Sequence, residues 1–209
     1  MPRVRIKICG ITRVEDAQVA ARLGVDAIGL VFYPRSPRAL TVEAARRIAL
    51  ALPPFVTTVG LFVNQDAAEI EWVLRQVPLS LLQFHGEESP SQCARFDRPY
   101  VKAIRMRQGI DLYQEAERYS GACGILVDAY EPSVPGGTGK CFDWDRIPKG
   151  LNKPLILAGG LDPQNVRAAV NKVCPFAVDV SSGVEAAKGV KDHSKMAEFI
   201  REVSYYDGA

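Results

Sequence analysis

Histidine is scarce in this chain of 209 residues, which holds only His85 and His193. Its five cysteines, Cys9, Cys93, Cys123, Cys141 and Cys174, are odd in number and far apart, without a Cys-x-x-Cys pair. That pattern argues against a disulfide framework and against a structural metal site. An excess of one charge is lacking too: 26 Lys and Arg face 24 Asp and Glu, a formal net charge of +2. So small and scattered an excess leaves no electrostatic footprint for nucleic acid. No uninterrupted apolar run reaches the roughly 18 residues of a membrane span. The N-terminus has no apolar signal-peptide core either, because charges recur at Arg3, Arg5 and Lys7. These absences lead us to expect a cytoplasmic protein with no nucleic-acid or membrane partner.

What is present is an ordinary apolar content of 47%, enough for a sizeable core. Short apolar runs alternate with helical patterns from end to end. Strands are predicted at Val4–Cys9, Ala27–Phe32, Thr57–Val63, Ser80–Phe84, Tyr100–Ile104, Gly124–Asp128, Pro154–Ala158 and Ala177–Val180. Between them, Ile70, Val73, Leu74 and Val77 fall on one helix face, as do Val166, Ala169, Val170 and Val173. Met196, Phe199, Ile200 and Val203 repeat the pattern. Thr12 with Glu15 reads as a capping box, Asp162-Pro163 as a helix start, and Gly24 as a helix stop.

The strands lack polar alternation, as expected when helices cover both sheet faces. Eight strand-then-helix units, without a linker or low-complexity stretch, predict a single α/β domain over residues 1–209, a compact (β/α)8 TIM barrel. A doubly wound open sheet competes, but usually needs fewer strands. In a barrel the active site lies where strands end, so polar residues there matter most.

Cys9 closes the first strand, with Lys7 two residues earlier on the same face. An isolated cysteine is most simply a small hydrophobe, yet Gly10 beside it would let a ligand approach the backbone. Lys7 and a helix start are the groups able to favour a thiolate there. Asp128 closes the sixth strand, where a carboxylate must meet water, a partner or a substrate. Asp179 closes the eighth in the same way, as a second catalytic carboxylate or a loop organiser. Gln83 and His85 close the fourth strand, where a structural histidine is the simpler reading. Arg38, which follows Pro34 and Pro37 in the loop after strand two, could fork onto a carboxylate or merely sit in solvent. Gly137, Thr138 and Gly139 follow strand six, Gly159 and Gly160 follow strand seven, and Ser181, Ser182 and Gly183 follow strand eight. Glycines and serines opening onto helix starts after the last strands suit a phosphate.

These motifs together resemble the phosphoribosylanthranilate isomerases of tryptophan biosynthesis. The matching stretches are KICGIT at 7–12, GLVFYPRSPR at 29–38, LQFHGEE at 82–88, GGTGKCFDW at 136–144, LAGGLDPQNV at 157–166 and PFAVDVSSGVE at 175–185. The resemblance implies a cofactor-free Amadori rearrangement of N-(5-phosphoribosyl)anthranilate to the carboxyphenylamino-deoxyribulose phosphate. It makes Cys9 the general base, Asp128 the general acid and Arg38 the holder of the anthranilate carboxylate, with the glycine and serine loops on the phosphate. Lys7, Gln83, His85 and Asp179 are expected at the substrate as well. The chain's partner would then be a small phosphoribosyl substrate, and the chain either a monomer or a homodimer. Two other readings compete. One is a lyase like indole-glycerol-phosphate synthase, which would need a catalytic lysine such as Lys102. The other is an inactive barrel that only binds phosphorylated ligands.

Overall fold

The computed structural model describes residues 3–129 and 143–205. Its first four units run β1 (Arg5–Cys9), α1 (Val14–Arg22), β2 (Ala27–Val31), α2 (Val42–Leu50), β3 (Thr57–Phe62), α3 (Ala67–Gln76), β4 (Leu81–Phe84) and α4 (Pro90–Cys93). The second half runs β5 (Tyr100–Arg105), α5 (Leu112–Arg118), β6 (Gly124–Asp128), β7 (Leu155–Leu157), α6 (Val166–Val173), β8 (Ala177–Val180) and, after a small hairpin of β9 (Glu185–Ala187) and β10 (Val190–Lys191), α7 (His193–Ser204). Strands β1 to β8 pair in sequence order, all parallel, and β8 returns to β1 to close the barrel. The predicted strands and their order therefore stand, with ends shifted by a residue or two.

Alternation along each strand divides the apolar residues into two populations. Outward-pointing Ile8, Ile28, Leu30, Leu82 and Ile125 are buried under the helices in one continuous core. Part of that layer is a run of rings: Phe32 stacks on Phe62 at 5.2 Å, and Phe84 packs against Phe62, Phe96 and Tyr100. Burying each such side chain contributes about 2 kcal/mol. The helices meet this layer with the faces predicted: Ile70 and Val73, Val166 and Ala169, Met196 and Phe199 are all buried. The barrel interior is smaller, with Cys9, Val31, Leu61 and Val63 in one cluster and Ala103, Leu126 and Ala158 in another.

Local details depart from expectation. Helix α1 starts at Val14 behind Arg13, not in a Thr12–Glu15 capping box, because the Thr12 hydroxyl donates to the carbonyl of Gly189 on the hairpin. Asp162 does not cap a helix at Pro163. Its Oδ1 accepts from the N–H groups of Gln164 and Asn165, both at 2.9 Å, and so closes a turn, and α6 begins at Val166. Gly24 does end α1, at φ +87°, its N–H returning to Ala21 O. Among the described residues, unit six has a three-residue 3-10 turn, Trp144–Arg146, in place of a helix. Pro148 accounts for the stop, since it forces Ile147 into an extended conformation.

One buried cluster fastens the barrel seam from outside. The fully buried Asp16 of α1 accepts from Arg13 Nη2 at 2.6 Å, from the Lys191 N–H at 3.1 Å and pairs with His193 Nε2 at 2.9 Å. Burial works against this carboxylate, but its partners outweigh burial and hold it below the usual carboxylate range. Such a group contributes stability that is present above its unfolded value, near 4, and fades as pH falls through the lower folded one. Replacing Asp16 by Asn should therefore cost about 2 kcal/mol at neutral pH in urea unfolding. The gap from the parent protein should narrow as pH falls below about 4.

Candidate active site

The C-terminal ends of the strands enclose a cavity of about 430 Å³. Cys9 from β1, Gln83 from β4, Asp128 from β6 and Asp179 from β8 all reach it. Alternation explains this convergence, because each is the last inward-pointing residue, or nearly so, of its strand. His85, Arg38, Gly159, Gly160, Ser181 and Ser182 complete most of the predicted set around the same space. Lys7 lies one inward step deeper and does not border it. Gly137, Thr138 and Gly139 lie outside the described residues.

Cys9 owes its position to Gly29, its neighbour across the β1–β2 pairing. A Cβ on Gly29 would come within 2.6 Å of Sγ, so glycine there is clearance for the thiol. Beneath the thiol, Lys7 and Asp179 face one another across the β1–β8 seam. The Lys7 ammonium donates to both carboxylate oxygens, each at 2.8 Å. Burial pushes the Cys9 thiol up and prevails; Lys7 opposes it, Asp179 adds to burial, and Lys191 assists Lys7, so the cations limit the rise without reversing it. For Lys7, burial disfavours the charge, yet Asp179 and then Cys9 raise it above an ordinary lysine. The expected helix start is not part of this balance, since α1 begins only at Val14.

Across the cavity, Asp128 is held from two sides. Its Oδ1 accepts the Ala129 N–H at 2.8 Å, and its Oδ2 lies 3.0 Å from His85 Nε2. His85 Nδ1 in turn lies 3.0 Å from Gln83 Nε2. The ring can donate from Nε2 to an ionised Asp128 or accept there from the protonated carboxyl, so it can follow Asp128 through both of its states. His85 is thus neither an isolated structural histidine nor a lone catalyst, but the middle member of a buried chain ending on the carboxyl. Gly159 keeps that carboxyl accessible: at φ +85°, a Cβ would meet Ala129 N at 2.5 Å and Asp128 Oδ1 at 3.1 Å.

The loops after β7 and β8 meet beside these groups. Ser181 leads into a short 3-10 turn, Ser182–Val184. Gly183 is not at the cavity; a Cβ there would lie 1.9 Å from Leu161 O, so glycine is required for one loop to pack on the other.

Arg38 is buried and donates from Nε and Nη2 to both oxygens of Glu185, each at 2.7 Å. Lys191 Nζ shares Oε1 at 3.0 Å. Nothing local in the sequence distinguishes Glu185 or Lys191 as site residues. The only signal is a glutamate ending the VSSGVE stretch, and its partners are distant in the chain. Gly10 also changes meaning, because what crosses it is protein: a Cβ there would be 2.4 Å from Arg38 Cδ and 3.0 Å from Ser181 Oγ. Lys188 on the hairpin and Arg35 border the cavity as well.

Lys102, the lysine a lyase reading requires, is elsewhere. It points outward from β5, where Nζ donates to Gly86 O at 2.6 Å and pairs with Glu88 Oε2 at 2.9 Å. Glu88 in turn accepts from the Asn64 and Gly86 N–H groups, so the pair fastens loops.

Comparison with known proteins gives the same picture. The family model described as N-(5'phosphoribosyl)anthranilate (PRA) isomerase matches residues 6–202. N-(5'-phosphoribosyl)anthranilate isomerase of Azotobacter vinelandii is 62% identical over 203 residues, covering 97% of this chain and 98% of that one. The crystal structure of the Thermotoga maritima isomerase superposes with a TM-score of 0.86 at 44% identity, over 97% and 99% of the two chains. An isomerase complex with reduced 1-(o-carboxyphenylamino)-1-deoxyribulose 5-phosphate gives 0.83 at 42% identity and the same coverage. Monomers generated from the dimeric Thermotoga maritima enzyme give 0.80 at 40%, again over 97% and 99%. With family model, relatives and strand-end geometry in agreement, this chain belongs to the N-(5'-phosphoribosyl)anthranilate isomerase family.

Proposed function

We propose that Cys9 and Asp128 divide the proton chemistry of this isomerase between them, Cys9 as general base and Asp128 as general acid. The reaction is the Amadori rearrangement of N-(5-phosphoribosyl)anthranilate to 1-(2-carboxyphenylamino)-1-deoxy-D-ribulose 5-phosphate, a step of tryptophan biosynthesis. The observation that carries the assignment is a buried thiol over an ammonium and a hydrogen-bonded carboxyl, set on β1 and β6 of one cavity.

Asp128 donates a proton to the ribose ring oxygen as the C1′–O bond breaks, which leaves a protonated Schiff base. The iminium makes the C2′ proton acidic, and Cys9 removes it as thiolate. The resulting enolamine becomes the ketone when a proton is returned at C1′ and the C2′ hydroxyl proton is lost. Each transfer by a positioned group is worth about 10² to 10⁴ in rate. His85, held by Gln83, keeps the Asp128 carboxyl aimed at the ring oxygen. Lys7 favours the Cys9 thiolate, and Asp179 keeps Lys7 in place. Arg38 takes the anthranilate carboxylate. The backbone and hydroxyls of Gly159, Gly160, Ser181 and Ser182 take the phosphate. A cytoplasmic location is part of the proposal, since a reducing compartment keeps Cys9 as a free thiol. A homodimer is part of it too, on the strength of the dimeric Thermotoga maritima enzyme.

Three results check this assignment. With phosphoribosylanthranilate generated in situ and its fluorescence followed, Asp128→Asn should be nearly inactive and Cys9→Ser should fall by at least about 10². Normal turnover in both would sink the mechanism. Arg38→Ala should chiefly raise KM, by on the order of tenfold or more, because carboxylate binding acts in ground and transition states alike. Finally, the double variant K7M/D179N removes both buried charges, so neither is left unpaired. Of the two, Lys7 acts more strongly on Cys9, and it lowers the thiol. Alkylation of the Cys9 peptide, followed by mass spectrometry, should therefore shift to higher pH in the variant. An unchanged profile would remove Lys7 from the mechanism.

A further inference from the structure

Glu185 presents a puzzle, because it occupies one edge of the very guanidinium that is to bind a carboxylate. Its two oxygens take Arg38 Nε and Nη2 at 2.7 Å each, which is the side-on fork of a full bidentate pair. A neutral arginine–glutamate pair would attract a second carboxylate weakly. Lys191 alters that balance. Its Nζ lies 3.0 Å from Glu185 Oε1 and 2.9 Å from Ser181 O, and the side chain is fully buried. Two basic side chains thus share one carboxylate; burial lowers Lys191 below an ordinary lysine and Glu185 opposes that loss, and with both side chains charged the cluster is net positive where little water screens it. Among the described residues Arg38 Nη1 makes no hydrogen bond, which leaves donors for an incoming anion.

The cluster is built with care for orientation. Glu185 and Lys191 face each other across the β9–β10 hairpin. Lys195 of α7 donates to the Glu185 carbonyl at 3.0 Å, fixing the backbone that carries it. The Arg38 stem lies across Gly10, where a side chain would collide with it. A flexible arginine would lose rotamer freedom on binding substrate, whereas this one has lost it already. Burial opposes the Glu185 carboxylate, but Arg38 and Lys191 hold it ionised, below the usual carboxylate range.

We propose that Glu185, backed by Lys191, is the positioning residue that aims Arg38 at the anthranilate carboxylate and thereby sets the preference for a carboxylated aryl amine. The inference rests on the isomerase reading above and deepens it. A purely structural Glu185 would support every substrate equally; a positioning one matters only where a carboxylate is bound. The test compares N-(5-phosphoribosyl)anthranilate with N-(5-phosphoribosyl)aniline, which lacks the carboxylate, using kcat/KM for each. In Glu185→Gln the anthranilate value should fall by on the order of tenfold, mostly through KM, with little change for the aniline substrate. Lys191→Met should move the same ratio in the same direction. In an Arg38→Ala background, Glu185→Gln should leave the ratio where Arg38→Ala put it. Should Glu185→Gln fail to fold by circular dichroism, Glu185→Asp keeps the charge while drawing the guanidinium aside, and it too should lower the ratio. Equal losses on both substrates, or a ratio unchanged or improved without Glu185, would overturn the proposal while leaving the isomerase reading intact. Turnover of neither substrate by the parent protein would instead overturn the isomerase reading, and this proposal with it.

Discussion

The ion pair between Lys7 and Asp179 is the constraint on which the rest of the structure turns. It sits at the seam where β1 meets β8, so closure of the barrel and burial of the pair are one event. Two charges in that position are costly to desolvate, and two hydrogen bonds of 2.8 Å offset the cost only in a closed barrel. The register that brings them together also places Cys9 one inward step above Lys7. The stability of the seam and the state of the thiol are therefore coupled through one ammonium. Removing either partner alone would leave an unpaired charge and unsettle both.

Around that pair the cavity is a matter of clearances. Gly29 makes room for Sγ, Gly159 for the Asp128 carboxyl, and Gly10 for the Arg38 stem. In each case the side chain that needs the space belongs to the protein, and substrate access follows from it. A protein interior is packed too densely for three polar side chains to point into one space unless neighbours give way. Glycine on the adjacent strand or loop is how this sequence yields that volume without opening the barrel.

The same geometry explains what could be read from the sequence. Buried parallel strands are rich in Ile, Leu and Val with no polar alternation, so β2 and β6 are plain to see. Helix faces are legible because Ile70 and Val73, or Met196 and Phe199, repeat at the helical period. Caps are less so, since Thr12 and Asp162 have the right chemistry for a helix start but spend it on Gly189 and on a turn. Cys9, Asp128 and Arg38 end strands or sit in a proline-framed loop, and there position alone is informative. Glu185 is different. Its partner Arg38 is 147 residues away, and nothing local separates it from any glutamate in a polar loop. His85 is illegible for the same reason: its meaning depends on Asp128 on another strand.

The thiol and the carboxyl reach the cavity with different neighbours. Cys9 is surrounded by groups from the β1–β8 side, namely Lys7, Asp179 and the Lys191 of the hairpin. Asp128 belongs to the opposite chain of contacts, through His85 to Gln83 on β4. Cations near the thiol favour its charged form, whereas the carboxyl is held by a ring able either to donate or to accept. Under the division of roles proposed above, a single polar cluster could not serve both, because the cation that readies a base would also strip the proton from an acid beside it. Closure of the eight strands brings both settings to one cavity, from β1 and from β6, and Asp179, within electrostatic reach of Lys7, Asp128 and His85, is common to the two.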